Sequence, residues 1–155
     1  MNLEFLIETF SYFGFFLSGL ISSSTIFFPV PIYFVIAFAD KFGFNPIIVA
    51  FLTALGASIG EITSYLVGAG TSFYAWKKIR KSKNYKIAVN FFKKYGGLAI
   101  ILFAITPLPF DVIGILCGFL RYDIKKFLII TFIGKLIQMF IIILLGEVAI
   151  NYLGW

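Results

Sequence analysis

Few side chains in this sequence could do chemistry, and most of those lie inside apolar stretches. There are seven carboxylates, thirteen Lys and Arg, no histidine and one cysteine, Cys117. Without histidine the commonest general base is missing, and so are most zinc and two-metal schemes. Cys117 sits in apolar sequence with no base in view, and the acids form no close pair. A membrane phosphatase or transferase would need such groups. The reading is therefore a protein that is not an enzyme, with no cofactor and no metal. What remains is Glu61, Tyr65, Asp111, Lys135 and Gln138. Ionisable and amide groups set in hydrophobic sequence carry protons, gate a path or contact a polar cargo.

Glu61 is the clearest of these. It lies sixteen residues after Asn45 and sixteen before Lys77, within an apolar segment from about Pro46 to Trp76. At helical rise that places it about 24 Å from either flank. In a hydrocarbon core about 30 Å thick, one long tilted helix carries Glu61 near the midplane. A carboxylate there costs about 2.5–3.5 kcal/mol on insertion scales, so it faces a cavity or a partner. The plainer reading is a neutral, hydrogen-bonded packing carboxyl. Lys135 lies about twelve residues past Asp123, roughly 18 Å deep at helical rise, and Gln138 follows one turn on. Asp111 falls just after a proline pair.

The elements that must hold these residues follow from composition. Of 155 residues, 61% are hydrophobic, and the mean hydropathy is +1.01. That is an all-α integral membrane protein, one membrane domain over 1–155. Met1-Asn2-Leu3-Glu4 lacks the basic start of a secretory signal, so no cleavage is expected. The single cysteine excludes an intramolecular disulfide. The net charge of +6 does not signal nucleic acid, because eight of the thirteen cations lie between Lys77 and Lys94. Such a cluster between hydrophobic stretches marks a cytoplasmic loop of a multi-pass cell-membrane protein.

The first apolar stretch is too long for one span and too short for two. Ser22-Ser23-Ser24 and the Pro29/Pro31 pair break it. Non-helical backbone at membrane depth survives only inside protein or beside water. Residues 9–39 therefore read as a re-entrant hairpin, or a helix and a half-helix, with its tip near Pro29. Gly56, Gly60, Ser64 and Gly68 then recur every fourth residue, a stripe that lets another backbone approach. Such stripes are common packing features and name no function. Residues 76–95 are basic and alternate with Ile87, Phe91 and Tyr95, which reads as an interfacial amphipathic helix. Topological anchoring explains it more simply than capture of anionic headgroups. Gly96 to Leu120 is broken by Pro107 and Pro109 and has basic flanks on both sides, so it reads as a second hairpin. The stretch from about Lys126 to Leu153 is a true span. Phenylalanine and the other aromatics, 20% of the chain, suit lipid contact and interface belts.

The chain also aligns with itself at an offset of 78. Pro29 and Pro31 pair with Pro107 and Pro109, Phe44-Asn45 with Tyr122-Asp123, Thr53 with Thr131, and Gly56 with Gly134. The expectation is two inverted repeats, about 9–75 and 96–153. Each is a proline-broken re-entrant hairpin plus a transmembrane helix, with the amphipathic linker 76–95 between them. In transporters of that plan the broken helices hold the substrate at the repeat junction. The hairpin tips there offer free amides to an anion such as phosphate. Glu61, Asp111 and Lys135 would gather at that junction.

Gly60-Glu61-x-x-x-Tyr65-x-x-Gly68 resembles the G-[DE]-x-x-x-Y-x-x-G motif of the DedA family, also called VTT or SNARE-associated membrane proteins. Ile105-Thr106-Pro107-Leu108-Pro109 is similar to the second hairpin tip of eukaryotic members. Phe132-Ile133-Gly134-Lys135 and Leu145-Gly146 look like the corresponding helix of the YqaA-like branch. The resemblance covers roughly residues 20 to 150. It implies two opposed re-entrant hairpins and a lipid-handling role. Bacterial and archaeal members move polyprenyl-phosphate carriers, with proton or sodium coupling, and eukaryotic members scramble phospholipids. On that basis Glu61 takes the role of the essential helix acid. The sequence departs from the pattern at Ile32 and Tyr33, where many bacterial members carry an acid. It departs again at Ala104 and Phe110, where they carry arginines.

The leading reading is a lipid translocator, flippase- or scramblase-like, for polyprenyl phosphate or phospholipid. Glu61 is then a proton-linked gate, opening from an ion pair with Lys135 to admit phosphate. The same charges serve a coupled transporter of small solutes or ions equally well. A non-transporting membrane organiser is the third reading. The sequence leaves the lipid, the coupling ion and a homo-oligomeric state open.

Overall fold

The computed structural model describes residues 3–24, 36–37, 39–40, 43–70, 81–106 and 109–153. Among them the regular elements are all helices: α1 (Leu3–Ser24), α2 (Pro46–Gly60), α3 (Ile62–Ala69), α4 (Lys83–Ile105), α5 (Asp111–Phe119) and α6 (Ile124–Leu153). Pro29, Pro31 and Pro107, three of the four expected hairpin-tip prolines, lie outside the described residues, as do the basic residues 77, 78 and 80. Two stretches are long and apolar enough to cross a membrane. Pro46–Ala69 has 24 residues at mean hydropathy 1.7, and Ile124–Ala149 has 26 at 2.5. At helical rise these measure about 36 and 39 Å, more than a core of about 30 Å. The second exposes Ile129, Ile133, Ile137, Leu144 and Leu145 on its outside. An apolar outer surface of that size suits hydrocarbon rather than water.

The chain divides into two compact units, residues 1–60 with 135–155 and residues 61–134. In the first unit α1 packs on α2 by close backbone approach. Gly56 lies against the Phe16 carbonyl, and a Cβ on Gly60 would come within 2.5 Å of the Leu20 carbonyl oxygen. Gly19 answers from α1, seated on the Thr53 carbonyl with Ala57 N 3.1 Å from its would-be Cβ. Later in the unit, Gly146 of α6 presses on the Ala37 carbonyl.

In the second unit the core gathers Tyr65, Phe92, Ile100, Ala104, Phe110, Ile113, Cys117, Leu120 and Phe127. Here α3 packs on α5, and the glycines interlock. Gly68 of α3 meets the Ile115 backbone, with Ile115 Cα 2.9 Å from a would-be Cβ, while Gly118 of α5 meets the Tyr65 carbonyl. The four-residue stripe from Gly56 to Gly68 therefore serves two partners. Its first half packs on α1 and its second half on α5.

Two turns carry the same hydrogen bonds 78 residues apart. Gly43 N–H donates to Asp40 O at 2.9 Å, and Phe44 N–H to Ala39 O at 3.0 Å. Arg121 N–H donates to Gly118 O at 3.1 Å, and Tyr122 N–H to Cys117 O at 2.9 Å. Both are Schellman closures, in which the residue after the cap adopts the left-handed region. Gly43 has φ 77° and Arg121 has φ 56°. The next helix starts alike in both. Asn45 Oδ1 accepts the Ile47 and Ile48 N–H groups at 3.0 and 3.4 Å, and Asp123 Oδ1 accepts Lys126 N–H at 2.9 Å. These are N-caps that satisfy otherwise orphaned donors. The aromatic after each closure packs edge-on against the preceding long helix. Phe44 meets Phe15 at 5.2 Å, and Tyr122 meets Phe92 at 5.7 Å.

One boundary differs from the sequence reading. The helix that carries the basic stretch does not stop before Gly96, because α4 runs unbroken from Lys83 to Ile105. Glycine is a poor helix former. Gly96, however, lies under the Phe92 and Tyr122 rings, where a Cβ would come within 2.6 and 3.2 Å. Ser22–Ser24 form the last turn of α1 as described, and Ser24 donates its hydroxyl to Leu20 O at 2.6 Å.

Candidate functional site

Glu61 stands between α2 and α3 as a single-residue interruption with helical backbone, φ −66° and ψ −9°. It is only 3% exposed. Ser64, one turn later, is fully buried and directs its hydroxyl at Glu61. That hydroxyl lies 2.8 Å from Glu61 O and 3.3 Å from Glu61 Oε2. A buried acid survives only with hydrogen-bonding support, and Ser64 supplies part of it. Gly114 of α5 lies directly against Ser64, and a Cβ there would meet Ser64 Oγ and stand 2.8 Å from Ser64 Cβ. The carboxyl, the hydroxyl and the glycine thus form one tightly packed set in the second unit.

Tyr65, beside Ser64, is fixed at its far end. Its hydroxyl donates to the Tyr122 carbonyl at 2.6 Å, and its ring lies 5.4 Å from that of Phe127. It therefore ties α3 to the turn between α5 and α6. Asp111 occupies the first turn of α5, where a carboxylate favours the positive end of the helix dipole. Pro109 is exposed and precedes Phe110, which is buried 6.0 Å from Phe127.

Lys135 and Gln138 begin the α6 segment that belongs to the first unit. They are 6% and 5% exposed, and share a buried face with Met139, Ile143 and Gly146 at helical spacing. Gly134, one residue before, packs on Ala104, with a would-be Cβ 2.5 Å from Ala104 Cβ in the second unit. The sequence reading did not single out Gly114 or Gly118. Their spacing of four, opposite Ser64 and Gly68, was the available signal.

At the end of α5 a cavity of about 230 Å³ opens between α4 and the start of α6. Tyr122 lines it, and burial pushes its phenol above the ordinary range, with Cys117 and Asp123 adding to the effect.

A membrane-type helical chain with a buried acid in an apolar span is the class this geometry defines. The VTT domain matches residues 25–148, and the chain belongs to that family, the DedA family of membrane proteins. An uncharacterised protein of Methanocaldococcus jannaschii is 28% identical over 139 residues, covering 90% of this chain and 86% of that protein. An uncharacterised Haemophilus influenzae protein is 25% identical over 100 residues, 60% of this chain. The match spans half the length of that second relative. No solved structure matches the chain.

Proposed function

We propose that the chain is a lipid translocator, flippase- or scramblase-like, which passes the headgroup of a polyprenyl phosphate or a phospholipid while the tails stay in the bilayer. The observation that carries this reading is Glu61, 3% exposed and the sixteenth residue of a 24-residue apolar span. A carboxyl held in apolar surroundings by hydrogen bonds is a group that can take part in a proton-linked step. Glu61 is then the proton-linked gate, and Lys135, 6% exposed, is the cation that meets phosphate. Family membership supports a lipid-related or transport role.

The proposal includes two inverted repeats, each with a re-entrant hairpin, in a multi-pass cell-membrane protein of the YqaA-like branch with its basic loop cytoplasmic. The length of α5 supports the second hairpin. Its nine residues measure about 13 Å, under half the hydrocarbon thickness. The recurrence of one closure and one N-cap at Gly43–Asn45 and Arg121–Asp123 supports the repeat. Exposed Lys83, Lys86, Lys93 and Lys94 along α4 favour the cytoplasmic side.

Proteoliposomes test the reading. The protein is expected to move a short-chain polyprenyl phosphate or a labelled phospholipid across the bilayer, with the faster of the two naming the substrate class. A transport current driven by a proton or sodium gradient in the absence of either lipid movement would favour a coupled ion or solute transporter instead.

A further inference from the structure

The cavity at the end of α5 has an apolar floor and a cationic rim. Lys93, Arg121 and Lys126 line it and are exposed, while Phe92 beneath them is buried. Among the described residues Asp123 is the one acid in the lining, and its Oδ1 caps α6 by accepting Lys126 N–H. Three cations and one carboxylate therefore line the groove, between the C-terminal end of α5 and the start of α6. The backbone supplies a second observation. Arg121 holds φ 56° at the position where the matching turn, 78 residues earlier, has Gly43 at φ 77°. A side chain is disfavoured in that conformation and glycine is not. Arg121 thus places its guanidinium just past the C-terminal end of α5, where the helix dipole favours a cation.

We propose that this groove binds the phosphate of an anionic membrane lipid. The Arg121 fork takes two phosphate oxygens, a geometry that guanidinium suits better than ammonium. Lys93 and Lys126 add charge, and Phe92 and Tyr122 receive the first carbons beyond the phosphate. The volume admits a headgroup but not acyl chains, which stay in the bilayer. The start of an apolar span, flanked by lysine and aromatic side chains, is the depth at which lipid phosphates lie. The groove includes none of Glu61, Asp111 or Lys135, and lipid binding there does not require translocation.

The test uses the full chain in neutral-lipid nanodiscs, with retention of phosphatidic acid and phosphatidylcholine read by native mass spectrometry. The wild type should retain phosphatidic acid in preference, and the preference should weaken as salt rises. Arg121→Gly should weaken that binding about tenfold while its unfolding midpoint stays level or rises, because the turn is relieved. The Lys93→Gln/Lys126→Gln double variant should weaken it as well. Wild-type binding by Arg121→Gly would overturn the proposal, and so would a loss of binding that only accompanies a lowered midpoint. Displacement of the lipid by inorganic phosphate of equal affinity would assign the groove to a free anion instead. Flux is not read in this experiment, so its failure leaves the translocator reading to its own test.

Discussion

Ser64 and Gly114 meet with no room for a side chain between them, and the Ser64 hydroxyl in that contact is the one aimed at Glu61. The α3–α5 interface thereby sets where the acid's hydrogen-bond donor stands. A glycine on one helix thus bears on a carboxyl at the start of another through the buried Ser64.

Gly114→Ala follows directly. The added methyl collides with Ser64 Oγ and stands 2.8 Å from Ser64 Cβ. Overpacking of this kind costs about 1–3 kcal/mol. Unfolding in detergent should show a lowered midpoint. Combining it with Ser64→Gly should restore part of the loss, because the colliding atoms are gone. Additive losses in that double variant would show that the contact is not the source of the strain.

Tyr65→Phe keeps the ring on Phe127 and removes the bond to the Tyr122 carbonyl. The loss should be about 1–1.5 kcal/mol, the net worth of a buried hydrogen bond. Hydrogen exchange should rise selectively in the turn at residues 120–123. Unchanged protection there would remove the latch from the account.

The left-handed positions predict opposite signs. Gly43→Ala adds a Cβ at φ 77° with open space around it, so only backbone strain acts. It should destabilise by about 1 kcal/mol, whereas Arg121→Gly should stabilise by a similar amount. Equal signs would contradict the matching of the two turns.

Thr53 and Thr131 are both essentially inaccessible, and their hydroxyl oxygens have no hydrogen-bond partner among the described residues. Valine keeps the shape and removes the unmet polar group. Thr53→Val and Thr131→Val should leave stability unchanged or raise it by up to about 1 kcal/mol. A clear loss in either would show that membrane or water supplies a bond to the hydroxyl.

Much of this arrangement was legible in the chain. Hydropathy located both long apolar helices, and the pairing of Phe44-Asn45 with Tyr122-Asp123 fell on the two turns that share a closure and a cap. Those features are local, set by glycine, Asx caps and apolar runs, so sequence carries them. The division of the glycine stripe between α1 and α5 was not legible, since a four-residue spacing says that a backbone approaches but not which one. The continuity of α4 through Gly96 and Gly97 was hidden for a related reason. The Tyr122 and Phe92 rings that cover Gly96 come from tertiary packing and override its low helix propensity. Among the site residues, Glu61 stood out because a carboxylate in an apolar span is costly. Ser64 and Gly114 did not, because small residues in membrane helices are ordinary.

The central claim is that Glu61 gates lipid movement by its proton. The most direct measurement is transbilayer movement of polyprenyl phosphate and labelled phospholipid in proteoliposomes holding wild type or Glu61→Gln at matched, folded density. Glutamine keeps the size and the hydrogen-bonding oxygen of the neutral acid but cannot ionise. The account predicts movement by the wild type that depends on pH, and at least a tenfold loss in Glu61→Gln without a change in unfolding midpoint. Equal rates in the two proteins, or no lipid movement by the wild type under any pH gradient, would contradict it.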